Sequence, residues 1–265
     1  MSTLSPQLCL CDCLYGHLAA TDAPLPTPLT QLPCVQDPAL CPVGTTHLLW
    51  RGAQGLALGP VNLPYAQATR VDFCDPALLY RLRSSGKRQG IGKAVGLDKA
   101  KTPPRVLDAS AGLGRDALVL AHLGCEVELM ERSPWIHALL EDGLTRARDA
   151  QEPIVREAAS RMRLFFGDAR DRLQTLRGTE AAPDVVYLDP MFPPKRKSAA
   201  VKKDIGVLQT VLGPDEDLEQ VLQLALSVAR KRVVVKRPPD QHEIPGPAPS
   251  FTLSGKAAHF SVYVK

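Results

Sequence analysis

Between residues 104 and 236, short apolar runs alternate with amphipathic stretches, and that rhythm predicts most of the fold. Residues 105–108, 126–130, 163–166, 184–188 and 232–236 are rich in Val, Leu, Met, Phe and Tyr with little polar alternation, the pattern of strands covered on both faces. Residues 117–123 predict a helix closed by Gly124. Ser133-Pro134 offers an N-cap and a first-turn proline for a helix whose Ile136, Leu139, Leu140 and Leu144 form one stripe. Another helix is predicted over about residues 217–229. Strands and helices in alternation build a mostly parallel sheet with helices on both faces. Residues 251–253 and 260–264 flank a Gly-containing turn, so a terminal antiparallel hairpin is expected to extend that sheet.

The chain before this region reads differently. Residues 47–58 predict two short strands turning at 52–55, and residues 21–45 hold Pro24, Pro26, Pro28, Pro33, Pro38 and Pro42 without any period. The expected organisation is a proline- and cysteine-rich arm over 1–45, a small subdomain with a basic segment over 46–103, and an α/β domain over 104–265. The first 50 residues contain no Lys or Arg, so the rest of the chain carries the whole positive charge and more than the net +4. A basic body is suited to a polyanionic partner. Seven cysteines is an odd count and no secretory leader pattern opens the chain, which points to a reducing cytoplasm. Cys9, Cys11 and Cys13 lack the C-x-x-C spacing and the second ligand pair of common zinc sites, and no metal is expected. No apolar run is long enough to span a membrane.

Candidate chemistry lies at the strand ends. D-A-S-A-G-L-G-R-D, residues 108–116, follows the first strand of the α/β region. Its small residues let backbone approach a ligand, and the helix start behind it offers unpaired amides. Gly112-x-Gly114-x-x-Ala117 with Glu131 at the next strand end also matches a dinucleotide pattern, which keeps a nicotinamide-dependent oxidoreductase open. Asp108 inside the loop argues for S-adenosylmethionine instead, because a carboxylate repels a pyrophosphate and suits a cationic amino-acid moiety. Asp108, Glu131, Asp168 and Asp189 are expected together at the carboxyl edge of the sheet, where open α/β folds bind ligands.

V-V-Y-L-D-P-M-F-P-P-K-R-K-S, residues 185–198, runs from strand to stiffened loop to strong positive charge. An exposed Phe192 held beside Asp189 suggests a flat substrate. The loop resembles the D/N-P-P-Y/F loop of enzymes that methylate exocyclic amines or amides conjugated to π systems. In that reading Asp189 and the Pro190 carbonyl accept the N–H hydrogens of the attacking nitrogen, and Phe192 stacks on the base. Lys195, Arg196, Lys197, Lys202 and Lys203 beyond it, and Arg81, Arg83, Lys87 and Arg88 earlier, are candidate phosphate contacts.

Taken with Met130-Glu131-Arg132, V-D-F at 71–73, A-V-G-L at 94–97, L-G-P-D at 212–215 and K-R-V-V-V-K-R-P at 231–238, these motifs resemble the bacterial small-subunit (16S) ribosomal RNA guanine-N2 methyltransferases of the J type. The resemblance implies a class I S-adenosylmethionine-dependent methyltransferase: a Rossmann-like α/β domain with a small N-terminal extension. The implied substrate is small-subunit ribosomal RNA or the assembled small subunit. Implied cofactor contacts are Arg115 and Asp116 after the glycines, Glu131 and Arg132, Asp168 and Ala169, and Asp189. A methyltransferase for another exocyclic amine or amide, such as DNA adenine or protein glutamine, and a non-catalytic RNA-binding module are the remaining alternatives.

Overall fold

The computed structural model describes residues 8–11, 34–35, 38–192, 217–239 and 246–265. In chain order the strands are β1 (Leu8–Cys11), β2 (Cys34–Val35), β3 (His47–Gly52), β4 (Gly55–Pro60), β5 (Val106–Asp108), β6 (Val127–Glu131), β7 (Met162–Phe166), β8 (Val185–Leu188), β9 (Arg232–Arg237), β10 (Phe251–Leu253) and β11 (His259–Val264). The α-helices are α1 (Pro76–Ser84), α2 (Gly90–Ala94), α3 (Arg115–His122), α4 (Pro134–Arg148), α5 (Pro153–Ser160), α6 (Ala169–Leu176) and α7 (Leu218–Val228). These residues divide into two compact units.

One unit contains the described residues up to Asp72 together with Ser133–Arg146. Its sheet runs β2-β1-β3-β4, with β3 and β4 forming the expected hairpin. Gly55 closes the turn at φ +91°, which costs a glycine little. The Tyr65 hydroxyl donates to the Gly55 carbonyl at 3.0 Å and accepts from the Gln54 amide at 3.1 Å, stapling the turn. Leu48, Trp50, Ala57 and Ala68 form a small core beneath it. Within the expected arm, β1 and β2 are strands that pair in parallel and extend the β3 edge. That edge would otherwise present unpaired backbone groups. In α4, Asp142 accepts from the Leu56 amide at 3.1 Å and pairs with Arg146 at 2.8 Å.

The second unit spans Phe73–Arg132, Ala147–Phe192 and the described residues beyond. Its sheet has the order β10-β11-β9-β8-β5-β6-β7, parallel from β9 to β7 and antiparallel through β11 and β10. The terminal hairpin therefore extends the sheet as expected. On one face Leu107, Met130, Val186, Leu188, Val233 and Val235 pack with α6 and α7. In α7, Leu218, Val221, Leu222, Ala225 and Val228 bury one helical stripe. Burying each large aliphatic side chain there contributes about 1.5–3 kcal/mol. Helix α3 is buried from Asp116 to Ala121, and Gly124 behind it takes φ +101°. Helices α5 and α6 are not singled out by the hydrophobic pattern. Helix α6 buries only Ala169, Leu173 and Leu176, and Asp168 caps its start by accepting from the Arg170 amide at 2.8 Å.

Candidate active site

Strand order reverses between β5 and β8, because the chain passes from β5 to β6 and β7 on one side and then returns to β8 and β9 on the other. Such a switch point opens a crevice at the carboxyl ends of the strands. Asp108 ends β5, Glu131 ends β6, Asp189 follows β8, and Asp168 stands two residues beyond β7. The four acids expected at one sheet edge are therefore there. Pairing also sets their side. Asp108 is in register with Leu129 and Tyr187, and Tyr187 with Val234. Residues two positions along a strand keep the same face, so Glu131, Asp189 and Lys236 share the face of Asp108 and Tyr187.

The glycine loop sits in this crevice. Gly112 and Gly114 take φ +52° and +70°, conformations that favour glycine, and a Cβ on Gly112 would meet only the Ser110 carbonyl at 4.0 Å. The loop is tied to its neighbours at both ends. The Gly112 amide donates to Glu131 Oε2 at 3.1 Å, and the Asp189 amide donates to Ser110 Oγ at 2.6 Å. Asp108 is 2% exposed. Its carboxylate accepts from the Ser110 amide at 3.1 Å. Burial, reinforced by Asp116 and Asp189, pushes its pKa up to about 8.

A second group of charges lies beside the loop. Lys236 Nζ donates to Asp189 Oδ2 at 2.7 Å and to Asp116 Oδ2 at 2.8 Å. Asp116 also accepts from the Tyr187 hydroxyl at 2.6 Å and pairs with Arg81 at 2.6 Å. Although burial opposes ionisation, Lys236 and Arg81 hold the Asp116 carboxyl well below the usual carboxylate range. Burial and then the surrounding acids raise the Tyr187 hydroxyl well above its ordinary value, so it remains a donor.

Several candidates sit otherwise than the sequence suggests. Both oxygens of Asp116 are engaged inside the protein, one by Arg81 and the other by Tyr187 and Lys236. Phe192, expected to be exposed, is half-buried and packs against the core on the α6 and α7 side, because an aromatic ring gains more from that apolar surface than from water. Ala169 is buried in the same core, so only its backbone is left to meet a ligand. Arg132 reaches Asp217 at 2.6 Å. Asp168 is gripped by Arg170 at 2.6 Å, and this pair lowers its pKa. Arg115 is exposed at the start of α3. Arg81 turns to Asp116 and Arg83 to Glu152, while Lys87 and Arg88 are exposed between α1 and α2. Pro193, Pro194, Lys195, Arg196, Lys197, Lys202 and Lys203 lie outside the described residues, as do the side chains of Cys9, Cys11 and Cys13. Sequence reasoning passed over Ser110, Tyr187 and Lys236. Lys236 carried a signal, since a cation directly after the buried run Val233–Val235 within a strand needs a partner.

Comparison with known proteins bears on this arrangement. A family model described as "Putative SAM-dependent methyltransferase" matches residues 42–265. A protein of Pseudoalteromonas atlantica named "Ribosomal RNA small subunit methyltransferase J" is 48% identical over 220 residues, covering 82% of this chain and 84% of its own. One of the same name from Aeromonas hydrophila is 47% identical over 245 residues, covering 87% and 96%. The chain belongs to this methyltransferase J family. A crystal structure of a SAM-dependent methyltransferase from Neisseria gonorrhoeae matches with a TM-score of 0.70 at 32% identity, covering 97% of this chain and 95% of that one. The fold is thus that of the class I S-adenosylmethionine methyltransferases, and S-adenosylmethionine is the cofactor.

The residues present suit that cofactor better than a dinucleotide. Asp108 is buried and, among the described residues, touches no cation. Such a group ionises readily only beside a positively charged ligand, and a pyrophosphate would oppose that ionisation. Among the described residues no cluster of His, Cys, Asp and Glu could hold a metal ion, and no helix is long and apolar enough to cross a membrane.

Proposed function

We propose that this protein methylates the 2-amino group of a guanine in small-subunit ribosomal RNA. The observation that carries the reading is Asp189. It stands at the switch point on a fixed backbone, with Oδ2 on Lys236 and no partner for Oδ1 among the described residues. Bound S-adenosylmethionine supplies an electrophilic methyl group. The protein's part is to make a poor nucleophile attack it. The lone pair of an exocyclic amine is delocalised into the ring, so positive charge develops on nitrogen as the new bond forms. Asp189 and the Pro190 carbonyl accept hydrogen bonds from its two N–H groups and stabilise that charge, and as the methyl's bond to sulfur breaks and the N–C bond forms, the nitrogen loses one proton, to Asp189. Phe192 anchors the loop in the core, and its remaining surface orients the base. Glu131 and the glycine loop hold the cofactor, and Asp108 faces its cationic amino-acid end. Base edges are hidden in folded duplex, so the target guanine must be unpaired or flipped. The deciding measurement is nucleoside analysis of small-subunit RNA from a strain lacking the protein. One N2-methylguanosine should vanish and return with the wild-type gene. Unchanged RNA would remove this substrate.

The site also predicts a pH dependence. The Asp108 carboxyl has a folded pKa of about 8, against about 4 in an unfolded chain. Between those values the folded apo-protein binds the extra proton, so Asp108 makes it less stable as pH rises across that window. A cation placed beside Asp108 favours the ionised form, so binding S-adenosylmethionine below pH 8 should release a proton, and affinity should tighten as pH rises and then level off. Calorimetry in buffers of different ionisation enthalpy measures this release. Asp108→Asn should abolish it, and proton release that persists in the variant would assign it to another group.

Exposed Lys87 and Arg88, together with Lys195, Arg196 and Lys197, are the proposed phosphate contacts. Replacing Lys195, Arg196 and Lys197 by Ala should reduce the salt slope of RNA binding by up to about 2–3 units if each cation neutralises one phosphate. Affinity for the cofactor should barely change. An unaltered slope would return these residues to solvent.

A further inference from the structure

We propose that Lys236 is a positioning residue for methyl transfer: its ammonium, wedged between Asp116 and Asp189, keeps the Asp189 carboxylate ionised and turned so that one oxygen faces the incoming amine. This inference rests on the reading of Asp189 as the acceptor of the amine's hydrogens.

Three observations carry it. The first is placement. Leu188 pairs with Val235 across β8 and β9, so Lys236 stands opposite Asp189 in the next rank of the sheet. The second is anchorage. Lys236 grips Asp116, which is itself fixed by Arg81 from α1 and by Tyr187 from β8, while Ser110 fixes the Asp189 amide. Asp189 is thereby held through both its backbone amide and Oδ2, which leaves Oδ1 as its only carboxylate oxygen without a partner among the described residues. The third is charge. Asp189 is faced by Asp108 on β5, Asp116 on α3, Arg81 on α1, Tyr187 on β8 and Lys236 on β9, and the residue paired with Lys236 on β11 is the uncharged Phe260. Of these only Lys236 brings a cation into contact with Asp189. Burial holds the Asp189 carboxyl above its ordinary value and Lys236 is the main influence pulling it back down, so without that cation the carboxyl takes up a proton more readily, and a neutral carboxyl stabilises the developing charge poorly. Sheet formation does not demand a lysine here, since Val233, Val234 and Val235 already bury the strand. A cation at this position serves the acids.

The test is single-turnover methylation of small-subunit RNA at saturating S-adenosylmethionine, followed across the pH range for wild type, Lys236→Met, Lys236→Gln, Lys236→Arg and Asp189→Asn. A carboxylate that works ionised gives a rate that falls below its pKa. Removing a neighbouring cation raises that pKa, so the acid limb of Lys236→Met should move up by about 1–3 pH units. The variant should be slow at neutral pH and recover at higher pH. Lys236→Arg should restore the limb. Lys236→Gln keeps hydrogen bonding without charge and should shift like Lys236→Met, which preserves the test if the methionine variant folds badly. An acid limb at the wild-type position in a folded Lys236→Gln overturns the proposal whatever the rate, because a packing defect slows transfer alike at every pH. If Asp189→Asn is slow while that limb stays put, Lys236 alone is refuted. If Asp189→Asn transfers at the wild-type rate, the reading beneath the proposal fails as well.

Discussion

Asp189→Asn should slow single-turnover methylation about 10²-fold or more at saturating cofactor, the magnitude usual for removing one group that stabilises transition-state charge. The substitution keeps the shape of the side chain and the hydrogen bond its backbone N–H donates to Ser110 Oγ. It replaces the anion by a neutral amide beside Lys236, so the loop is retained while its charge is lost. Folding and RNA affinity, checked by circular dichroism and filter binding, should stay close to wild type. Phe192→Leu should also slow transfer, but less, since the ring is partly seated in the core and leucine refills much of that space. A wild-type rate in the Asp189 variant would move the chemistry away from the β8 loop.

Glu131→Ala should weaken S-adenosylmethionine binding by about 10-fold to 100-fold, from the 1.5–3 kcal/mol typical of charge-assisted hydrogen bonds. Two losses combine in this variant. In the proposed reading the carboxylate at the end of β6 accepts from ribose hydroxyls, and in the structure it accepts from the Gly112 amide. Its removal therefore frees one side of the glycine loop as well as deleting a ligand contact. Titration calorimetry on the folded variant measures the sum, and unchanged affinity would place Glu131 outside the cofactor site.

The sequence was most informative where a local pattern has a local cause. Apolar runs ending in an acid marked β5, β6 and β8, and helix punctuation at Ser133-Pro134 and Gly124 marked α4 and the end of α3. Helix α6 escaped because Ala-Arg-Asp-Arg-Leu-Gln-Thr-Leu offers few apolar positions, and its capping residue, Asp168, reads equally well as a ligand. The site divides in the same way. Asp108, Glu131 and Asp189 could be found from strand ends alone. Lys236 could not be joined to Asp189, because the two lie 47 positions apart and their meeting depends on β8 and β9 pairing in one register. Phe192 shows the converse limit: its burial depends on α6 and α7, which no neighbouring residue announces.

The placement of β9 also bears on when the protein becomes active during its own synthesis. Asp116 is made early, Asp189 some seventy residues later, and the cation that bridges them later still. Contacts so far apart in sequence form late and slowly, since the chain between them must be ordered first. A nascent chain that has reached only the end of α7 already carries the glycine loop and the D-P-M-F loop, yet its acids have no Lys236 between them. β9 in turn needs β11 to cover its outer edge. Translation thus delivers the strand that completes the charge network after both acids are already in place, and with Lys236 in its proposed role, competence for methyl transfer waits on β9.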